Sequence, residues 1–115
     1  MSLNQWWQWW RRREEVRWKN GWRAFDAPEK EEDFLRELQS ETGEENRRHP
    51  LHGKRCSIIG WDGGRKDFIL HLPSEGCYAY VHLTYSPETD PRFPWCRLFV
   101  DARALNAFLA NGEVA

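Results

Sequence analysis

Residues 67–82, DFILHLPSEGCYAYVH, constrain the fold more than any other part of the chain. Two stretches of strand-forming residues are separated by PSEG, four residues that favour a turn, and this order is typical of an antiparallel hairpin. A four-residue loop sets apolar side chains opposite one another on one face: Phe68 with Val81, Leu70 with Ala79, and Leu72 with Cys77. A shift of one residue would mix apolar and polar positions, so the sequence predicts this register.

The same register puts polar and aromatic side chains on the other face, which we expect to be exposed. It pairs His71 with Tyr78, Ile69 with Tyr80 and Asp67 with His82, and it continues to Thr84. An aspartate opposite a histidine can hold one imidazole tautomer and raise its basicity, as a general base requires. Asp67 and His82 are therefore the candidate catalytic pair, with candidate binding residues beside them: His71, Tyr78, Tyr80 and Thr84.

A structural interpretation of the same pair stays open. Acid and base residues often face each other across solvated strands, where such a pair contributes about 0.2–1 kcal/mol. The sequence contains no GxSxG turn, and none of its cysteines is close to a histidine along the chain,. The pair alone therefore predicts neither an enzyme nor a non-enzyme.

The remaining patterns predict a single α+β domain over residues 1–115. KRCSIIG and CRLFV extend the hairpin to a four-stranded antiparallel sheet within residues 54–100,. An acidic helix is expected over residues 26–42, with Asp26 near its start, and a C-terminal helix over residues 101–111, with Asp101 as its cap. We expect the N-terminal helices and the C-terminal helix to pack on one face of the sheet.

The N-terminal segment NQWWQWWRRREEVRW predicts a Trp-rich helix over residues 1–19. At helical spacing Trp6, Trp7 and Trp10 share one face with Leu3, and the arginines that follow turn away from it. This arrangement is typical of core packing or of a homodimer interface, and it favours protein contacts over nucleic acid or a membrane surface.

Composition excludes several classes of protein. The chain has 115 residues, of which 40% are hydrophobic and 30% charged, and no apolar stretch is long enough to span a membrane,. No signal peptide pattern is present, and three cysteines at wide spacing predict free thiols, so we expect a cytoplasmic protein. His49 and His52 do not form a recognisable metal motif. We expect neither a metal nor a cofactor.

The net charge of -1 hides three blocks of different sign. Residues 1–25 have six basic and two acidic side chains, residues 26–46 have two basic and nine acidic, and residues 47–115 have nine basic and seven acidic. Opposite charges within one chain are compatible with association with itself or with another protein.

The run HPLHGK, followed by DFIL and then YAYVHLTYSPETDPRFP, resembles a group of small uncharacterised bacterial proteins with a VHLT-aromatic-S segment. The likeness covers residues 49–109 and implies a bacterial origin and an α+β domain. It names no reaction. A shared site in that group would correspond to a set of polar, glycine and proline residues of this chain: His49, Gly53, Asp67, His82, Thr84, Ser86, Glu88 and Pro94.

Two functional hypotheses follow. The first is a non-enzymatic protein-interaction module, of which an antitoxin or immunity-type protein is one version. The second is a small hydrolase or nucleic-acid-processing enzyme that uses Asp67 and His82 on the exposed sheet face.

Overall fold

The computed structural model describes residues 15–111, which form an antiparallel sheet and two helices. Strand β1 spans Arg23–Ala24, β2 Ser57–Trp61, β3 Asp67–Leu72, β4 Cys77–His82 and β5 Trp95–Phe99. Helix α1 spans Glu31–Glu41 and helix α2 spans Ala102–Asn111. None of the helices in this part of the chain combines the length and the apolar character that crossing a membrane requires.

The sheet has five strands in the order β1-β2-β3-β4-β5, all antiparallel, rather than the four strands predicted. The additional strand is β1, in which Arg23 pairs with Trp61 and Ala24 with Gly60. Two residues are too few to show the alternation that identifies a strand in a sequence. The register predicted for β3 and β4 is confirmed, from Asp67 opposite His82 to Leu72 opposite Cys77.

The two helices cover opposite faces of the sheet, so the expectation that all helices lie on one face was wrong. Helix α1 places Phe34 and Leu38 on the face formed by Phe68, Leu70 and Val81. Helix α2 covers the other face with three buried side chains: Leu105, Phe108 and Leu109. A sheet with apolar residues on both faces needs a covering layer, such as a helix, on each side to keep those residues from water.

The middle of the second face is therefore buried, contrary to the prediction of a polar, exposed face. Ile69 is fully buried and Tyr80 is 2% exposed, since both contact the residues of α2. Trp22 completes this side of the core, with its ring edge-on to Tyr80 at a centroid distance of 5.8 Å. The ends of the strands, where Asp67 and His82 lie, remain partly exposed.

Residues 15–19 are not helical, so the helix predicted over residues 1–19 is wrong for this part. The side-chain amide of Asn106 on α2 accepts a hydrogen bond from the backbone N–H of Arg17 at 2.7 Å and donates one to the Glu15 carbonyl at 2.8 Å. These contacts hold the segment along α2 as irregular chain. The rest of the predicted helix, with Trp6, Trp7 and Trp10, lies outside the described residues.

Helix α1 begins five residues later than predicted, after a 3-10 turn at Pro28–Lys30. Asp26 does not cap it, because the Asp26 carboxylate accepts a hydrogen bond from the indole N–H of Trp61 at 3.1 Å. Helix α2 agrees closely with its predicted range, and Asp101 accepts a hydrogen bond from the Ala104 N–H at 2.9 Å,.

Candidate functional site

The predicted pair of Asp67 and His82 is joined by a direct hydrogen bond and includes a third residue. His82 Nδ1–H donates to Asp67 Oδ1 at 2.8 Å, and the buried Tyr80 hydroxyl donates to the same oxygen at 2.7 Å. Burial and the neighbouring carboxylate raise the pKa of Tyr80, so its hydroxyl stays protonated as a donor,. Asp67 thereby holds the His82 ring in one orientation and leaves Nε2 as the nitrogen available to a bound molecule.

His82 lines a cavity of about 610 Å³ at the end of the sheet next to β5. This volume is within the range of about 300–1,000 Å³ that is common for small-molecule and side-chain sites. Aromatic, proline and polar residues surround it: Pro50, Thr84, Pro91, Arg92, Phe93, Trp95 and Cys96. The cavity thus combines apolar walls with one oriented imidazole.

The groups around the cavity are poor nucleophiles. Burial raises the pKa of the Cys96 thiol to about 11, so the thiolate that would attack a substrate is scarce at neutral pH,. The Thr84 hydroxyl lies 2.6 Å from Glu88 Oε2 and 3.1 Å from Glu41 Oε1, so its proton is engaged by carboxylates. Arg92 donates hydrogen bonds to both carboxylate oxygens of Asp90.

A buried carboxylate positions the chain that leaves β4. Glu41, at the end of α1, is fully buried and accepts hydrogen bonds from the backbone N–H groups of Thr84 at 2.9 Å and Tyr85 at 2.8 Å. A hydrogen bond to the Glu41 side chain raises the pKa of Glu37 to about 7, so Glu37 keeps its proton to a higher pH than an ordinary glutamate does,.

Two other buried polar residues hold the end of the loop that connects β4 to β5. His49 Nε2–H donates to the Pro94 carbonyl at 2.6 Å, and the Leu51 N–H donates to His49 Nδ1 at 3.0 Å. The Asn46 amide donates to the carbonyls of Glu41 and Phe93 at 2.9 and 2.7 Å. Burial lowers the pKa of His49, which suits a neutral ring with both nitrogens in use. These contacts place Phe93 and Pro94 beside the cavity.

The histidines do not come together around a metal. His52 Nδ1–H donates to the Thr42 carbonyl at 2.7 Å, and His49 is engaged as described. Within residues 15–111, no three side chains of histidine, cysteine, aspartate or glutamate are grouped as metal ligands are.

The structure brings some of the predicted site residues together and separates others. Tyr80 joins Asp67 and His82, and Thr84 lies on the same cavity as His82. His71 and Tyr78 face each other with ring centroids 5.2 Å apart, at the opposite end of the strands. The Trp6, Trp7 and Trp10 site lies outside the described residues.

Sequence reasoning missed the residues that form the cavity walls and the support behind them. The sequence does give one indication of Phe93 and Trp95, since PRFPW sets large aromatic side chains in a polar, proline-rich loop. Glu41 carried no signal, because its burial depends on backbone groups 43 and 44 residues away.

Comparison of the chain with protein families, with curated proteins and with solved structures finds no match.

Proposed function

We propose that this chain is a non-enzymatic protein-interaction module that binds an extended segment of a partner polypeptide along β5. One observation carries the proposal. The large apolar side chains that are exposed among residues 15–111 all lie between positions 85 and 100: Tyr85 (39% exposed), Phe93 (42%), Trp95 (42%), Leu98 (51%) and Val100 (78%). Exposed apolar surface that is concentrated in β5 and the loops beside it favours an interface at this part of the protein.

The position of β5 at the edge of the sheet leaves backbone hydrogen-bonding groups available beside these side chains. Strand β5 pairs with β4 on one side and is the last strand of the sheet formed by the described residues. An open strand edge offers N–H and C=O groups that a further strand can pair with, and the exposed side chains then supply specificity.

Arg97 indicates which charge a partner segment paired with β5 should carry. Its guanidinium carbon lies 5.5 Å from the ring centroids of Phe99 and Phe108, which fixes a positive charge in the middle of β5,. A second copy of β5 centred on this residue would bring two arginines together. The edge therefore favours a partner strand with an acidic residue near Arg97 and apolar residues near Leu98 and Val100.

Peptide selection against the full chain tests the proposal. A random-peptide library is selected on wild-type protein, and the selected peptides are titrated into a Leu98→Lys/Val100→Lys variant. Two lysines should block an apolar strand edge and lower peptide affinity at least tenfold. A Gln39→Lys variant, which adds a positive charge to exposed helix α1, should bind as wild type does.

Hydrogen exchange of the β5 amides supplies the structural readout. Addition of a strand slows exchange of amides on the open edge, so bound peptide should protect the alternate amides of residues 95–99 that do not pair with β4,. Peptides that bind both variants equally, or that protect other elements and leave β5 unchanged, would contradict the proposal. An antitoxin or immunity-type role is one version, in which the partner is a toxin that loses its activity on binding.

A second candidate, a hydrolase that uses His82 as a general base for water, is favoured by the Asp67 hydrogen bond beside a cavity,. Hydrolysis of a panel of ester, phosphodiester and glycoside substrates that is lost in His82→Ala would support it. Binding is the better supported function, because it also accounts for the exposed apolar side chains of β5 and its neighbouring loops. The high pKa of Cys96 and the engaged Thr84 hydroxyl argue only against a covalent mechanism,.

A further inference from the structure

We propose that the cavity at the end of β5 is a subsite for a tyrosine side chain. This inference rests on the proposed function, because the tyrosine belongs to the polypeptide segment that pairs with β5. The cavity lies next to the start of β5, since Trp95 is both the first residue of this strand and a wall of the cavity.

The walls suit an aromatic ring. Phe93 and Trp95 are each only half-buried, and Pro50 and Pro91 add flat apolar surface. Trp95 is supported from behind by buried Tyr80, with ring centroids 6.1 Å apart and planes at 88°. A ring that enters the cavity therefore meets aromatic surfaces already held in place, and aromatic contacts of this kind stabilise beyond their buried area.

The hydrogen-bonding capacity of His82 selects among aromatic rings. Asp67 accepts the proton on Nδ1, so a neutral His82 presents an unprotonated Nε2, and no other described residue donates to that atom. A phenol hydroxyl can donate to this nitrogen, and its oxygen can accept from the ring when His82 is protonated. Phenylalanine offers neither interaction.

The charges around the cavity favour a neutral ligand over an anion. The Arg92 guanidinium contacts Asp90 Oδ2 at 2.6 Å through one nitrogen and both Asp90 oxygens at 3.0 and 3.1 Å through another. A phosphate or carboxylate would compete with Asp90 for the Arg92 guanidinium, whereas a phenol leaves this ion pair intact.

Titration with N-acetyl-tyrosinamide and N-acetyl-phenylalaninamide tests the subsite, with NMR signals of the His82 imidazole and the Trp95 indole as readout. Both probes should saturate at millimolar concentration, and the tyrosine probe should bind about 2- to 10-fold more tightly, which is the usual contribution of one hydrogen bond. His82→Ala should remove this difference, and Trp95→Ala should weaken both probes.

Gln39→Lys serves as the folded control and should leave both affinities unchanged, since Gln39 is on helix α1 and does not line the cavity. Phe93→Ala repeats the test of the aromatic walls if Trp95→Ala does not fold. Equal affinity of the two probes for wild type, no saturable shift, or a larger His82 shift with inorganic phosphate would overturn the inference.

Different results would refute the tyrosine subsite and the proposed function. Selected peptides that depend on β5 but show no preference for tyrosine would refute the subsite and leave the interaction module standing. In the opposite case, the tyrosine probe still binds the Leu98→Lys/Val100→Lys variant and no selected peptide depends on β5. This result would support the cavity as a phenol site and refute the interaction module.

Discussion

Replacement of Glu37 by glutamine should flatten the dependence of stability on pH. In the folded protein the hydrogen bond to Glu41 raises the pKa of Glu37 from its ordinary value of 4.5 to about 7. The folded state therefore keeps a proton that the unfolded state has lost. The stability from this carboxyl pair is complete below pH 4.5 and is lost as the pH rises through about 7.

The magnitude follows from the interval between the two pKa values. For a group removed from water this interval would correspond to roughly 3 kcal/mol. Glu37 is only partly buried, and solvent screening at such a position reduces the effect to about 1 kcal/mol,. Wild type should therefore lose about 1 kcal/mol relative to Glu37→Gln between pH 5 and pH 8.

Urea unfolding of both proteins at several pH values between 5 and 8 measures this difference. Buried His49 acts in the opposite direction, because its lowered pKa makes acid destabilising below its ordinary value of 6.5, but both proteins share this contribution. Glu29→Gln, at an exposed position in the 3-10 turn, controls for removal of a negative charge. Parallel pH profiles for wild type and Glu37→Gln would refute the raised pKa of Glu37.

Three further substitutions or treatments test the packing. Gly60→Ala should lower the free energy of unfolding in urea by about 1–3 kcal/mol, since a Cβ there would overlap the Trp18 ring,. Gly64→Ala is the control and should cost less, because its Cβ would meet only the flexible Asp62 side chain. Asn106→Ala removes two hydrogen bonds to the N-terminal segment and should cost about 1–2 kcal/mol and speed tryptic cleavage before residue 20, as followed by mass spectrometry,. Cys96 should react slowly with iodoacetamide at pH 8 and become reactive in urea, because burial raises the pKa of its thiol,; equal rates in both conditions would contradict its burial.

The central hairpin shows what local sequence can specify. Loop length and the alternation of Phe68, Leu70 and Leu72 were enough to place every residue pair between β3 and β4, because a slip of one residue would move each apolar side chain to the wrong face,. The same argument places Asp67 opposite His82, where the two side chains are hydrogen-bonded. The C-terminal helix was equally predictable, since Asp101 and an apolar stripe both lie within a few residues.

The layer on each face of the sheet was not predictable in the same way. Tyr80 and Ile69 alternate with apolar residues in the sequence, and only the position of α2 shows that both lie in a second core. A tyrosine can bury its ring while its hydroxyl is hydrogen-bonded, so its presence does not identify an exposed face. Asp26 illustrates the same point, because its acceptor was used by Trp61 from a distant strand and not by the nearby helix.

By itself, the sequence determined the α+β class, the hairpin register, the C-terminal helix and the pairing of Asp67 with His82, since each depends on spacing over a short stretch of chain. Tertiary structure alone decided that Glu41 is buried beneath Thr84 and Tyr85, and that Phe93 and Trp95 form a cavity around His82. These contacts join residues far apart along the chain. Their energies depend on burial and on the direction of backbone donors, which exist only when all layers have assembled.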